Sequence, residues 1–155
     1  MLVSAIVNDE KYIAHWGHTK WLVLSSFFFM IPATYAYMNK LYPYSALLFC
    51  TSLISANYWR KATYSWRRNL DLIFAKVSFI VFLSNGILYV RKLHYVIPGY
   101  SGILLLLYCY YSSGKLLELK NNNWYKYHIA FHFFIMYEQI IIIDNMLKTT
   151  KNIIQ

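Results

Sequence analysis

His128 and His132 stand four residues apart, so a helix through them presents both imidazoles on one face. An H-x-x-x-H pair can give two nitrogen ligands to one metal ion, with zinc the commonest choice. The same pair serves equally well as two interfacial or interhelical hydrogen-bonding groups. Gln139 falls on that face, and Glu138 lies roughly a third of a turn away. Asp71 follows Arg67 and Arg68 and opens an apolar block. There it either gains from the helix macrodipole and a nearby arginine, or orients a ligand or acts as a base. Ser55 and Tyr58 close another apolar block, in the run Ser55-Ala56-Asn57-Tyr58-Trp59. By residue type they serve interhelical hydrogen bonding and an aromatic belt.

The elements that must position these groups are apolar helices. The chain of 155 residues is 59% hydrophobic and only 14% charged. A soluble domain carries roughly 25% charged residues to cover its outside. Here the apolar residues also come in long blocks, and lipid is the simplest solvent for the surface they make. The blocks predict spans over 21–38, 43–59, 70–90, 95–112 and 124–145, each long enough to cross about 30 Å of hydrocarbon. The expectation is an all-α polytopic membrane bundle of about five transmembrane helices. A segment 1–20 precedes the bundle at 21–147, and a tail 148–155 follows it. Pro32 should kink the first span, and Pro43 suits the first turn of the second. The fifth span is the most polar, so its His128, His132 and Gln139 face should turn into the bundle. Phe133, Phe134 and Ile141 should then meet lipid. Glu138, if not charged and paired, with Lys76 as one candidate partner, must be protonated.

Of the 20% aromatic residues, many Tyr and Trp sit near block ends, as an interfacial belt requires; a base-composition bias is the other source of the Tyr, Ile, Lys and Asn excess. The formal charge of +9 is scattered over short loops, without a basic stripe or an RNA-binding signature, so no nucleic-acid partner is expected. The bases fit anionic headgroups better. Arg60, Lys61, Arg67 and Arg68 crowd the second loop, which places that loop and the N-terminus on the cytoplasmic side and the C-terminus outside. The partners expected are the bilayer and, for a protein with so little soluble chain, other membrane subunits. Residues 1–8 are apolar but lack a basic leader, so the first helix is the expected uncleaved targeting signal. Cys50 and Cys109 both fall inside apolar blocks and read as small buried hydrophobes. Gly-x-Ser-x-Gly, P-loop, Rossmann and C-x-x-C patterns are absent.

The predicted topology brings Ser55, Asp71, His128 and His132 to one membrane face, with His15 and His18 on the same side. The order Ser-x-x-Tyr near the end of one helix, Asp at the start of the next and His-x-x-x-His in the last resembles the alkaline ceramidase and adiponectin-receptor superfamily of multi-pass membrane hydrolases. The matching residues are Ser55, Tyr58, Asp71, His128 and His132. The resemblance implies a zinc ion held by histidines, with Ser55 and Asp71 beside a metal-bound water, and amide hydrolysis of a lipid. Two departures stand against it. Trp59 occupies the place of the family's first histidine, and the family has about seven helices. Two functional readings follow. One is a non-catalytic scaffold or subunit of a membrane complex. The other is a shortened or degenerate zinc-dependent lipid amidase, with its third ligand recruited from His15, His18 or Asp71.

Overall fold

The computed structural model describes the backbone of residues 12–154 and the side chains of residues 12–150. The first crossing is made of two helices, α1 (Trp16–Ser26) and α2 (Met30–Met38), joined by a 3-10 turn over Phe27–Phe29. The break lies one turn before Pro32. That proline has no N–H for the carbonyl of Phe28, and its ring crowds the same carbonyl, so the backbone tightens there. Where a kink was expected at Pro32, the helix is interrupted by this 3-10 turn on its N-terminal side. Four further helices follow: α3 (Tyr42–Arg60), α4 (Trp66–Tyr89), α5 (Leu93–Glu118) and α6 (Trp124–Ile154). Among the described residues there is no strand, only an isolated bridge between Tyr12 and Thr63.

The described residues therefore form an all-α bundle of five helical segments. Among them, four are long and apolar enough to span a membrane: Trp16–Met38, Trp66–Tyr89, Leu93–Glu118 and Trp124–Thr150. The fifth helix, α3, corresponds to the expected span 43–59. Its 19 residues reach about 28 Å, but Thr51, Ser52, Ser55 and Asn57 dilute its hydropathy. It tolerates them because it packs against α1, α2 and α4, and Thr51, Ser52 and Ser55 are buried there. α6 continues as helix to Ile154, past the end of the expected span at 145.

Two connections close in the same way. At the end of α2, Leu41 N–H bonds to the Ala36 carbonyl and Lys40 N–H to Tyr37, with Lys40 at φ 63°. At the end of α5, Asn121 bonds to Leu116 and Lys120 to Leu117, with Lys120 at φ 53°. Both are Schellman turns with a lysine in the left-handed position that glycine usually holds.

One end of the bundle gathers the N-terminal segment, the α3–α4 connection and the α5–α6 connection. Ile13 N–H bonds to the Ala62 carbonyl, and His18 stacks on Tyr125 at 4.8 Å between centroids. An apolar cluster of Leu22, Tyr58, Trp59, Ala62 and Trp124 fills this end. A second cluster, with Ala33, Ala36, Leu48, Phe82, Ile143 and Met146, fills the opposite end. α4 and α5 carry the outer apolar surface, including Ile73, Ile80, Ile87, Leu104 and Tyr108, all exposed to the surroundings of the bundle. α5 packs on α6 alone among the helices. Cys109 is buried as expected; Cys50 is not, because its position on α3 faces outward.

Candidate functional site

Between the two apolar clusters lies a buried polar layer to which every crossing contributes. From α1, Ser25 and Ser26 sit at 2% and 0% exposure, with both hydroxyls in range of the Leu22 carbonyl. Ser25 Oγ is also 2.8 Å from His132 Nδ1 on α6. Ser26 Oγ is 3.1 Å from Ser55 Oγ on α3, and Ser52 Oγ donates to the Ser26 carbonyl at 2.9 Å. Thr51 on α3 and Ser78 on α4 pair their hydroxyls at 2.9 Å. On the far side of α6, Ser113 of α5 lies 3.2 Å from His128 Nδ1. Small hydroxyl residues let helices approach closely and bond across the gap, the usual adhesive of helices in lipid. Each such bond contributes about 0.6 kcal/mol on average, so the layer supplies a few kcal/mol in total.

The four expected site residues fall into two pairs. His128 and His132 are adjacent, with ring centroids 4.9 Å apart at 73°. The His132 face turns into the bundle as the i, i+4 spacing predicts, with His132 at 3% and Gln139 at 3% exposure. Phe133 meets the surroundings as expected, but Ile141 is buried at 7% and belongs to the core side of α6. Ser55 and Asp71 form the other pair, the serine lying beside the carboxyl group. Tyr58, also from the Ser-x-x-Tyr run, lies near Arg68 instead. Arg67 lies over Trp66 and Arg68 over Tyr64, so Asp71 takes neither arginine as partner. Among the described residues no hydrogen bond or ion pair joins Asp71 to either histidine. The α1 serines stand between the pairs: Ser26 touches Ser55, and its neighbour Ser25 touches His132.

The donor set does not fit a zinc site. A structural or catalytic zinc needs at least three protein ligands. Among the described residues no group of three His, Cys, Asp or Glu side chains is close enough to hold an ion. His18 stacks on Tyr125 with Trp124 at its edge, and His15 is exposed as the N-cap of α1, so neither joins the pair. Trp59 lies edge-on to His128 at 4.8 Å between centroids. Its indole Nε1 is buried without a partner, and an N–H donor cannot ligate a cation.

A second buried polar region lies six residues further along α6. Glu138, at 7% exposure, is wedged against α5, where a Cβ added at Gly102 would overlap its carboxyl group and one added at Gly99 would touch it at 3.6 Å. Glu138 Oε1 and Gln139 Oε1 are both buried without a hydrogen-bond partner. Lys76, the partner suggested by sequence, is exposed on α4 and does not pair with Glu138. Sequence reading missed Ser25, Ser26 and Ser113 altogether. Their only signal was a serine pair inside an apolar run and a Ser-Ser-Gly near the end of another.

No family model, curated protein or solved structure matches the chain.

Proposed function

We propose that the chain is a non-catalytic multi-pass membrane protein that acts as a scaffold or subunit of a membrane complex. The observation that carries this reading is the state of the two imidazoles. Each Nδ1 is engaged by a serine from a different helix, Ser25 of α1 and Ser113 of α5, and Trp59 covers His128. The pair therefore works as a clasp that fixes α1 and α5 on α6. Buried polar bonds of this kind set which helices meet and in what register. The broad apolar surface of α4 and α5 is available to lipid and to neighbouring membrane helices. The N-terminal segment and the 61–65 connection are cytoplasmic in this reading, because the bases gather there.

Metal analysis of the purified full chain tests it. The expected result is no zinc above background, with the same helical content for wild type and His128→Gln. Stoichiometric zinc that disappears in His132→Ala would overturn it. Site-specific photo-crosslinkers at Ile80 and Leu104 should capture membrane-embedded neighbours in native membranes.

One observation favours the second reading, a shortened or degenerate relative of the zinc-dependent lipid amidases. Ser55 lies beside Asp71 in the same half of the bundle that holds His128 and His132. That reading requires a third ligand, which the described residues do not bring to the pair.

A further inference from the structure

At the end of the bundle opposite the aromatic cluster, the short connection between α4 and α5 folds against the last turns of α6. A cavity of about 480 Å³ opens between them, lined by Tyr89, Arg91, Lys92, Asn145, Lys148 and Thr149. That volume lies in the range of pockets that hold small organic groups. Its lining contains three cations and no acid.

The wall is built from groups whose orientation is fixed by neighbours. The Lys148 ammonium is held by the Asp144 carboxylate and by the Tyr95 hydroxyl. Asp144 in turn accepts from Tyr35 at 3.3 Å and Tyr95 at 3.2 Å, which ties α2 and α5 to this corner. Asn145 is 4% exposed, and its amide donates to the Ile141 carbonyl at 2.8 Å. Thr149 donates to the Asn145 carbonyl at 2.9 Å. Arg91 Nε donates to the Leu88 carbonyl at 3.2 Å, which leaves both terminal guanidinium nitrogens for an external acceptor. With Asp144 counted against Arg91, Lys92 and Lys148, the corner keeps a net charge of +2.

Depth decides what anion would reach it. α4 ends at Tyr89 and α5 begins at Leu93, so the cavity stands at the headgroup level of the membrane. Directly beside it, Ile87, Leu93 and Ile97 are exposed at 68%, 71% and 62%. A free phosphate would use the cations and leave that apolar surface unused. A phospholipid uses both, its phosphodiester at the cations and its acyl chains along α4 and α5. Arginine matches phosphate oxygens with two parallel donors, a geometry that a phosphodiester accepts.

We infer that this cavity is a binding site for the phosphate headgroup of an anionic phospholipid, held by Arg91, Lys92 and Lys148. The test is lipid retention by the full chain, measured by native mass spectrometry after delipidation and addition of phosphatidylglycerol or phosphatidylcholine. Phosphatidylglycerol should be retained at least tenfold more than phosphatidylcholine. Arg91→Gln with Lys92→Gln should weaken that retention about tenfold or more, from the loss of two interfacial cations. The control pair Lys115→Gln with Lys126→Gln, exposed residues toward the other end, should leave it unchanged. Unfolding midpoints in lipid-free detergent should agree among the three proteins. If the double variant does not fold, Lys92→Gln alone should still lower retention severalfold, and rising salt should release the lipid from wild type. Equal retention of the two lipids, equal loss in the control pair, or displacement by millimolar inorganic phosphate would each overturn the assignment.

Discussion

Two buried polar regions lie on one helix, six residues apart, and they are resolved in opposite ways. Around His128 and His132 the two Nδ1 atoms are met by Ser25 and Ser113, and among the described residues Trp59 Nε1 is the one orphan atom nearby. Around Glu138 and Gln139 two side-chain oxygens are buried with nothing to accept from. The first region recovers its desolvation through hydrogen bonds and so defines register. The second is accommodated by shape: α5 offers Gly99 and Gly102, and the Glu138 side chain fills the space that their missing Cβ atoms leave. A buried polar residue can thus join two helices either by its bonding capacity or by its volume. Substitutions that remove one property and keep the other tell the two apart.

The largest effect is expected from His132→Ala. The imidazole is 3% exposed, rests on Phe29 at 5.2 Å between centroids and bonds Ser25. Its removal leaves a cavity and takes from Ser25 its interhelical partner, leaving that hydroxyl only the Leu22 carbonyl of its own helix, a loss of about 3 kcal/mol in unfolding free energy measured in detergent. Ser25→Ala should cost less, because only the bond goes. The coupling in the double-mutant cycle should be about 0.6 kcal/mol, as for other interhelical bonds in membranes. A coupling indistinguishable from zero would mean that His132 acts by volume as Glu138 does, and the contrast between the regions would fail.

Next comes Gly102→Val. A branched side chain there drives the Glu138 carboxyl out of its notch, and α5 has no other helix to lean on. Overpacking of this kind costs about 1–3 kcal/mol. Combining Gly102→Ala with Glu138→Ala should recover most of the loss caused by Gly102→Ala alone, since the volume removed matches the volume added. Disulfide trapping between cysteines placed on α5 and α6 would report whether the seam has shifted. An unchanged trapping pattern in Gly102→Val would show that Glu138 does not occupy the notch.

The fold was legible in the sequence because lipid imposes a length and a composition on each helix. The five blocks and the inward turn of His132 and Gln139 follow from periodicity and apolarity, and the 3-10 turn before Pro32 from the missing N–H of proline. What was not legible is pairing. Ser55 and Asp71 were expected in one layer with the histidines, and they do meet each other. The histidines' partners are Ser25 and Ser113, which stand 107 and 15 residues away from them in the chain. A lone serine in an apolar run carries no mark of which helix it will touch, since that depends on how α1 slots between α3 and α6. Ile141 was misplaced for the same reason: the apolar residues of α6 do not say which of them meet α4 and which meet lipid. For Glu138 the sequence offered a protonated carboxyl or an ionic partner, Lys76 being one candidate; the notch that receives it is defined by two glycines on another helix, an absence of side chain that composition does not reveal.

The smallest expected change is the most discriminating, Glu138→Gln. The two side chains have nearly the same volume, so a residue held by shape should accept the exchange. No cation or hydrogen-bond donor meets Glu138 Oε1 among the described residues, and so the substitution breaks no bond to that atom. The free energy of unfolding should shift by no more than about 0.5 kcal/mol, the range of a replacement that touches none of the usual destabilising mechanisms. The amide also removes any need to keep a carboxyl group uncharged within the bundle, so the sign of the shift should be stabilising. Measured beside Glu138→Ala, which empties the notch and should cost well over 1 kcal/mol, the pair separates volume from charge. A loss in Glu138→Gln as large as in Glu138→Ala would reveal an ionic partner for the carboxylate, and the second region of α6 would then be a bonded site like the first.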